Sequence, residues 1–321
     1  NEMVRFCRSA GLRRLMPLGF ARNAGLVGGG GGAGIDISAS GFSHEWVSAN
    51  YQFYKWNGTG SFTVNSNPGG DTGDIIIVGG GAAGRWPHGG YGIGGGGAGN
   101  CRYLMGINLP LGTHTVGIGA GGSYNNSQAP NSYVPATLNS GNGWSPGAGN
   151  QLNAWGGGVG SSYPYGQCSP GGSGGGGCGQ WSGGCGGNTP SLSPTSGNTG
   201  GNGSYSQYGY YAGGGGGGAF GAGQHMQYGM GYMASGNMAG GGQGAYYSSF
   251  RDSAGPSGAG FDSFSGGGSG YFTPGWYGAP VGGTQYGNPQ GGPGTGGTGA
   301  GSSGNNAWYG GGGTLILRYA I

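Results

Sequence analysis

Charge is almost absent from this chain. Of its 321 residues only ten are lysine or arginine and seven are aspartate or glutamate. Hydrolysis by paired carboxylates would have to draw on Asp36, Glu45, Asp71, Asp74, Asp252 and Asp262, which are scattered along the sequence, whereas general acid–base chemistry needs two such groups held together. His44, His88, His114 and His225 are equally dispersed and read as surface or packing residues. No run of 18 apolar residues exists, so no transmembrane helix is expected. Leu12 to Phe20 is broken by two arginines and a proline and does not read as a signal peptide. Aliphatic residues are scarce too: Leu, Ile, Val and Phe together make 41 of 321, a poverty that often marks unfolded chains. Disorder of that kind also calls for high charge, and 39 aromatic residues argue instead for packing.

Cysteine is sparse and odd in number. Cys7 and Cys101 stand alone, while Cys168, Cys178 and Cys185 share one stretch with gaps too wide for the usual zinc pairs. Incidental thiols or one local disulfide are the readings left open.

What the chain has is glycine, 97 residues of it against a usual share of roughly 7%. Collagen is excluded because runs such as Gly28 to Gly32, Gly94 to Gly97 and Gly213 to Gly218 keep no triplet frame. Asp74 to Gly84, DIIIVGGGAAG, matches the dinucleotide-binding G-x-G-x-x-G. That motif works only where a helix follows and an acid comes about 20 residues later. Here Arg85-Trp86-Pro87-His88-Gly89-Gly90 follows, and no acid appears before Asp252. No flavin, nicotinamide or other cofactor is expected. Gly171 to Gly175 matches the nucleophile-elbow pattern G-x-S-x-G, a chance event in such a composition, and no enzyme activity is expected.

Strand signals occur at four places. Tyr51 to Trp56 and Ser61 to Val64 flank Asn57-Gly58, a hairpin cue. Asp74 to Val78, Thr113 to Ile118 and Thr314 to Tyr319 are the others. The expected fold is mainly β: a small sandwich-like sheet closed by the C-terminal strand, with a glycine-rich loop layer or a bundle of polyglycine II helices. Such helices have three residues per turn and no internal hydrogen bonds, so neighbours must satisfy one another. The expected organisation is a basic attachment segment over 1–27, a glycine hinge and connector over 28–48, and one glycine-rich β domain over 49–321. The first segment holds Arg5, Arg8, Arg13, Arg14 and Arg22 against Glu2, while the rest of the chain has five bases against six acids. With no lysine and no long basic run, it reads as a tail docking on a partner protein rather than an arm for nucleic acid or anionic lipid.

The blocks Gly60 to Val64, DIIIVGGGAAG, Gly94 to Asn100, Thr113 to Gly122 and the closing GGGGTLILRYAI resemble, in this order, the glycine-rich domain of bacteriophage tail-fibre and tail-tip proteins. The chain is also similar in character to glycine-rich adhesins whose polyglycine helices form a bundle at a fibre tip. Two features depart from the pattern: the longer Asn65 to Gly70 turn and the basic segment at 1–27. The resemblance implies that the strand at Asp74 ends in glycine because the chain leaves a sheet for the glycine-rich layer. It implies a virion protein that docks on tail or baseplate proteins, binds a bacterial surface protein or glycan, and forms a homo-oligomer, a trimer being one option. Neither nucleic-acid binding nor membrane insertion is implied.

Receptor contact is expected where large amphipathic and adaptable side chains concentrate. These are Tyr205, Tyr208, Tyr210, Tyr211, Met226, Tyr228, Met230, Tyr232 and Met233, joined by Trp276 and Tyr277. The competing reading packs them on the glycine layer. Two other functions compete with adhesion: a secreted or cell-surface glycine-rich structural protein, and an ice-binding protein, for which no regular rank of Thr or Ala is visible.

Overall fold

The computed structural model describes residues 34–84, 92–123, 128–138, 150–161, 168–178, 183–187, 197–205, 211–225, 239, 241–251, 261, 263–268, 272–273 and 309–321. The attachment candidates Arg5, Arg8, Arg13, Arg14 and Arg22 lie outside them. The fold is mainly β, with several antiparallel sheets, no closed barrel and no α-helix among the described residues.

Seven strands come first: β1 (Asp36–Ser40), β2 (His44–Val47), β3 (Tyr51–Trp56), β4 (Gly60–Ser66), β5 (Thr72–Val78), β6 (Cys101–Asn108) and β7 (Gly112–Val116). Then follow β8 (Ser132–Pro135), β9 (Gln151–Ala154), β10 (Ser204–Tyr205), β11 (Tyr211–Ala212), β12 (Ala245–Tyr246), β13 (Ser263–Phe264), β14 (Phe272–Thr273) and the closing β15 (Thr314–Ala320). A five-stranded sheet runs β2-β3-β15-β5-β6 and a three-stranded sheet runs β1-β4-β7. The C-terminal strand therefore fills the centre of the larger sheet, between β3 and β5.

The hairpin expected at Asn57-Gly58 is not formed, because β3 and β4 belong to different sheets. The turn is a corner, and the indole of Trp56 pins it by donating from Nε1 to the Ser40 carbonyl at 2.9 Å. Strands β1 and β2 lie in the stretch expected to be a connector.

Between the sheets, Ile37, Phe62, Val64 and Val116 meet Tyr54, Trp56, Ile75, Ile77, Leu315 and Leu317. Period-two alternation sends Ile76, Val78, Phe53 and Ile316 to the opposite face of the larger sheet. There they pack with Ala219, Ala245, Phe250 and Phe264. The larger sheet is thus covered on both faces, which is why Ile75 to Val78 of β5 are a continuous apolar run instead of an alternating one. Charge enters the outer layer only in partnership. Arg318 donates from Nε and Nη2 to Asp74 Oδ2 at 2.9 and 2.8 Å, and from Nη1 to the Phe250 carbonyl at 2.6 Å. Its guanidinium lies over the rings of Tyr51 and Phe250. Lys55 lies over the Phe261 ring at 3.8 Å, and burial pushes its pKa down to about 8.

β5, β6, β7 and β15 all meet the glycine-rich segments at the same pole of the sandwich. Val78 runs into Gly79, Asn100 into Cys101, Val116 into Gly117 and Gly313 into Thr314. Beyond that pole, donors to one neighbour recur at every third residue. Gly94, Gly97 and Asn100 donate to the carbonyls of Ser161, Gly158 and Trp155; Gly95 and Ala98 donate to Gly214 and Gly217. Ser173 and Gly176 donate to Ala98 and Gly95, while Gly174 and Gly177 donate to Asn198 and Gly201. Close approach explains the composition: a Cβ on Gly97 would stand 2.1 Å from the Ser173 carbonyl oxygen.

Candidate functional site

Hydrogen-bond register gives the glycine layer two ends. Residue 100 adjoins the sandwich through β6, and the segment 92–100 leads away from it, so Ile93 is about 22 Å further out at roughly 3.1 Å per residue. Segment 156–161 pairs with it antiparallel, placing Ser161 beside Gly94 at the far end. The pairing of Gly214 with Gly95 and Gly177, and of Gly177 with Gly201, brings residues 213, 178 and 203 to that end as well. Gly268 follows, donating to Gly96.

Strands β10, β11 and β14 extend from these segments and form one small antiparallel sheet. Tyr205 faces Tyr211 in its register, and Tyr211 faces Thr273. Two of the candidates, Tyr205 and Tyr211, are thereby paired in one sheet. The glycine segment 221–225 runs outward too, since Gly218 donates to Gly221 while Gly215 donates to Gln224 further out. Tyr208, Tyr210, Met226, Tyr228, Met230, Tyr232, Met233, Trp276 and Tyr277 themselves lie outside the described residues.

Among the described residues this end is neutral: the glycine segments contain no Asp, Glu, Lys or Arg. Its polar groups include amides, the Ser161 hydroxyl, which accepts from the Cys178 amide, and one imidazole. Asn202 Oδ1 accepts from the Gly184 amide at 2.9 Å, and the Asn202 amide donates to His225 Nδ1 at 2.9 Å. His225 is consequently held with Nδ1 as the acceptor. Asn198 donates from Nδ2 to the Gly218 and Ala219 carbonyls, tying off a segment nearer the sandwich.

The other chemically suggestive residues are enclosed. Ser173, the serine of the G-x-S-x-G match, is fully buried inside the glycine layer with neither a preceding strand nor a following helix. Burial pushes the Cys101 thiol up, keeping it protonated beside Tyr247. His114 is buried against Phe62 and bonds to the Pro110 carbonyl at 2.8 Å. His44 packs edge-on to Phe261. No group of three potential metal ligands occurs among the described residues. Gly79 and Gly80, at the head of the dinucleotide-like motif, spend their amides on the Asn100 and Pro130 carbonyls, so they are not free to cradle a phosphate.

Two features escape the sequence. Phe220, half exposed and packed on Tyr247, sits beside the segment that carries Tyr246. A lone phenylalanine after a glycine run gives no periodic signal. The disulfide between Cys168 and Cys185 is the other. Three cysteines within one stretch leave the pairing open, and the structure leaves Cys178 buried and free. Comparison with family models, with curated proteins and with solved structures finds no match to this chain.

Proposed function

We propose that this chain is a structural virion protein of a tailed bacteriophage, a tail-fibre or tail-tip adhesin that binds a receptor on the host surface. The reading rests on the polarity of the fold. β1 begins at Asp36, opposite Ser66, at the pole that also carries the turns 48–50 and 67–71. The chain therefore enters β1 at the end remote from the glycine layer. Tyr205 and Tyr211 lie toward the opposite end, and their pairing in the sheet β10-β11-β14 is the single observation that carries the proposal.

Chemistry narrows the receptor. A neutral end joined to a sequence rich in Tyr and Met suits a protein loop or a glycan, read by stacking and hydrogen bonds, and offers nothing to a polyanion. The glycine segments supply a rigid, uncharged pedestal. Tyr228, Met230 and Tyr232 replaced together by serine should abolish adsorption to host cells while assembly and protease resistance persist. Normal adsorption by that variant would remove the segment from the receptor site. Polymerisation of the purified protein without any virion would favour the secreted structural alternative instead.

A further inference from the structure

We propose that the Cys168–Cys185 disulfide is a redox latch, fastening an edge segment of the glycine layer once the protein leaves a reducing compartment. The inference is independent of what the far end binds. Residues 183–187 lie at an open edge of the layer: Gly183 and Gly186 are exposed, and Gly184, Cys185 and Gly187 are half-buried. A Cβ on Gly183 would meet nothing within 4 Å, whereas one on Gly184 or Gly187 would strike the backbone of Gly200 or Asn198, so the segment is open on one side and seated on the layer on the other. Bonds that seat the segment on the layer include the Cys185 amide donating to the Gly175 carbonyl, the Gly200 amide donating to the Cys185 carbonyl, and the Gly184 amide donating to Asn202. It brings no large apolar side chain to bury. Local units of that kind open at lower cost than the core, because little buried apolar surface opposes the entropy of the freed chain. The disulfide adds a covalent tie from Cys185 to Cys168, at the start of segment 168–178.

The fastening reaches further than the segment. Gly200, which donates to Cys185, belongs to segment 197–203, and that segment runs directly into β10. Closing the bridge thus steadies the strand that carries Tyr205.

The chemistry balances with a small-molecule disulfide, such as oxidised glutathione, as oxidant. The half-buried Cys185 is the more accessible sulfur; its thiolate attacks the reagent, forms a mixed disulfide and expels one thiolate. The Cys168 thiolate then attacks the Cys185 sulfur, closing the bridge and expelling the second. Two cysteine thiols lose two protons and two electrons, and the reagent becomes two thiols. In a reducing cytosol the same equilibrium runs backward, so the latch stays open until release.

Hydrogen exchange followed by mass spectrometry on the full chain tests this. On reduction with a phosphine, peptides containing Cys185 and Gly200 should exchange roughly 100-fold faster, the scale expected for freeing a closed loop of this length. Peptides containing Ala98, in the middle of the layer, and Leu317, in the central strand, should be unchanged. Oxidised glutathione should restore protection, and Cys168→Ser/Cys185→Ser should exchange like the reduced protein under both conditions. Unchanged exchange at Cys185 and Gly200 would overturn the latch. So would an equal rise at Ala98 and Leu317, since the bridge would then support the whole fold rather than one segment.

Discussion

Replacing Gly97 by alanine adds one methyl group and should unfold the protein at a markedly lower temperature. The new Cβ would stand 2.1 Å from the Ser173 carbonyl oxygen and 2.8 Å from the carbonyl of Gly174, all backbone, where ordinary contact begins near 3.4 Å. Segments 92–100 and 168–178 would have to part by more than 1 Å. Two bonds between them, from Ser173 to Ala98 at 2.9 Å and from Gly176 to Gly95 at 2.8 Å, would then be stretched beyond use. Each buried group so orphaned costs about 1–3 kcal/mol, and the forced packing adds about 1–3 kcal/mol. Alanine recovers only about 0.4–1 kcal/mol by restricting the unfolded chain. The net is roughly 3–6 kcal/mol, which at about 2–4 °C per kcal/mol lowers Tm by roughly 10–20 °C. Gly58→Ala is the matched control: Gly58 is exposed in the corner turn, with nothing within 4 Å of its would-be Cβ. It should change stability by less than about 1 kcal/mol. Thermal melts of the two variants side by side give the answer. Equal melting of both would refute the claim that backbone contact between glycine segments holds the layer together.

The outer cover of the larger sheet makes two further predictions. Arg318→Met removes the donor to the Phe250 carbonyl and leaves the Asp74 carboxylate without its cation, a loss of about 3–5 kcal/mol for a largely buried pair; trypsin should then cut after Arg251 in the variant at concentrations that spare the parent protein. Lys55 gives a pH dependence with a definite sign: its folded pKa of about 8 lies below the ordinary 10.5, so between these values the unfolded chain binds more protons and stability rises with pH. Above about pH 10 the trend reverses, because burial holds Tyr247 and Tyr319 protonated in the fold while the unfolded chain ionises them. Urea unfolding of Lys55→Met should be flatter from pH 7.5 to 9.5, and its stability at pH 7 should be higher by roughly 1–3 kcal/mol; an identical profile would show that the lysine is not the source.

How much of this is legible in the sequence follows from the range of the interactions involved. β5 and β15 announce themselves because both their faces are buried, so Ile75 to Val78 and Leu315 to Leu317 are continuous apolar runs. β7 does so because one face is wet and the alternation is clean. β1 and β2 escape notice: DISAS and HEWV are short, polar and at sheet edges, where water takes the place of a neighbour. β6 is masked by the buried Arg102, whose Nη1 donates to the Asn153 carbonyl, and by the irregularity where it passes Gly73 and Ile75. The Asn57-Gly58 cue is real as a turn and misleading as a hairpin, since a tight turn does not specify which strands pair on either side. The recognition end is legible only as composition. That Tyr205, Tyr211 and Thr273 share a sheet depends on pairing across more than 60 residues, which leaves no local trace.

Labelling the two poles tests the central claim most directly. Gold attached through Leu111→Cys marks the exposed turn at the sandwich pole, and gold attached through Gln224→Cys marks the exposed far end of the glycine layer. In electron micrographs of tailed particles caught on host cells, the Leu111 label should lie against the particle and the Gln224 label should lie outermost, at the cell surface. Absence of the protein from tailed particles, or a Gln224 label buried against the particle, would contradict the account.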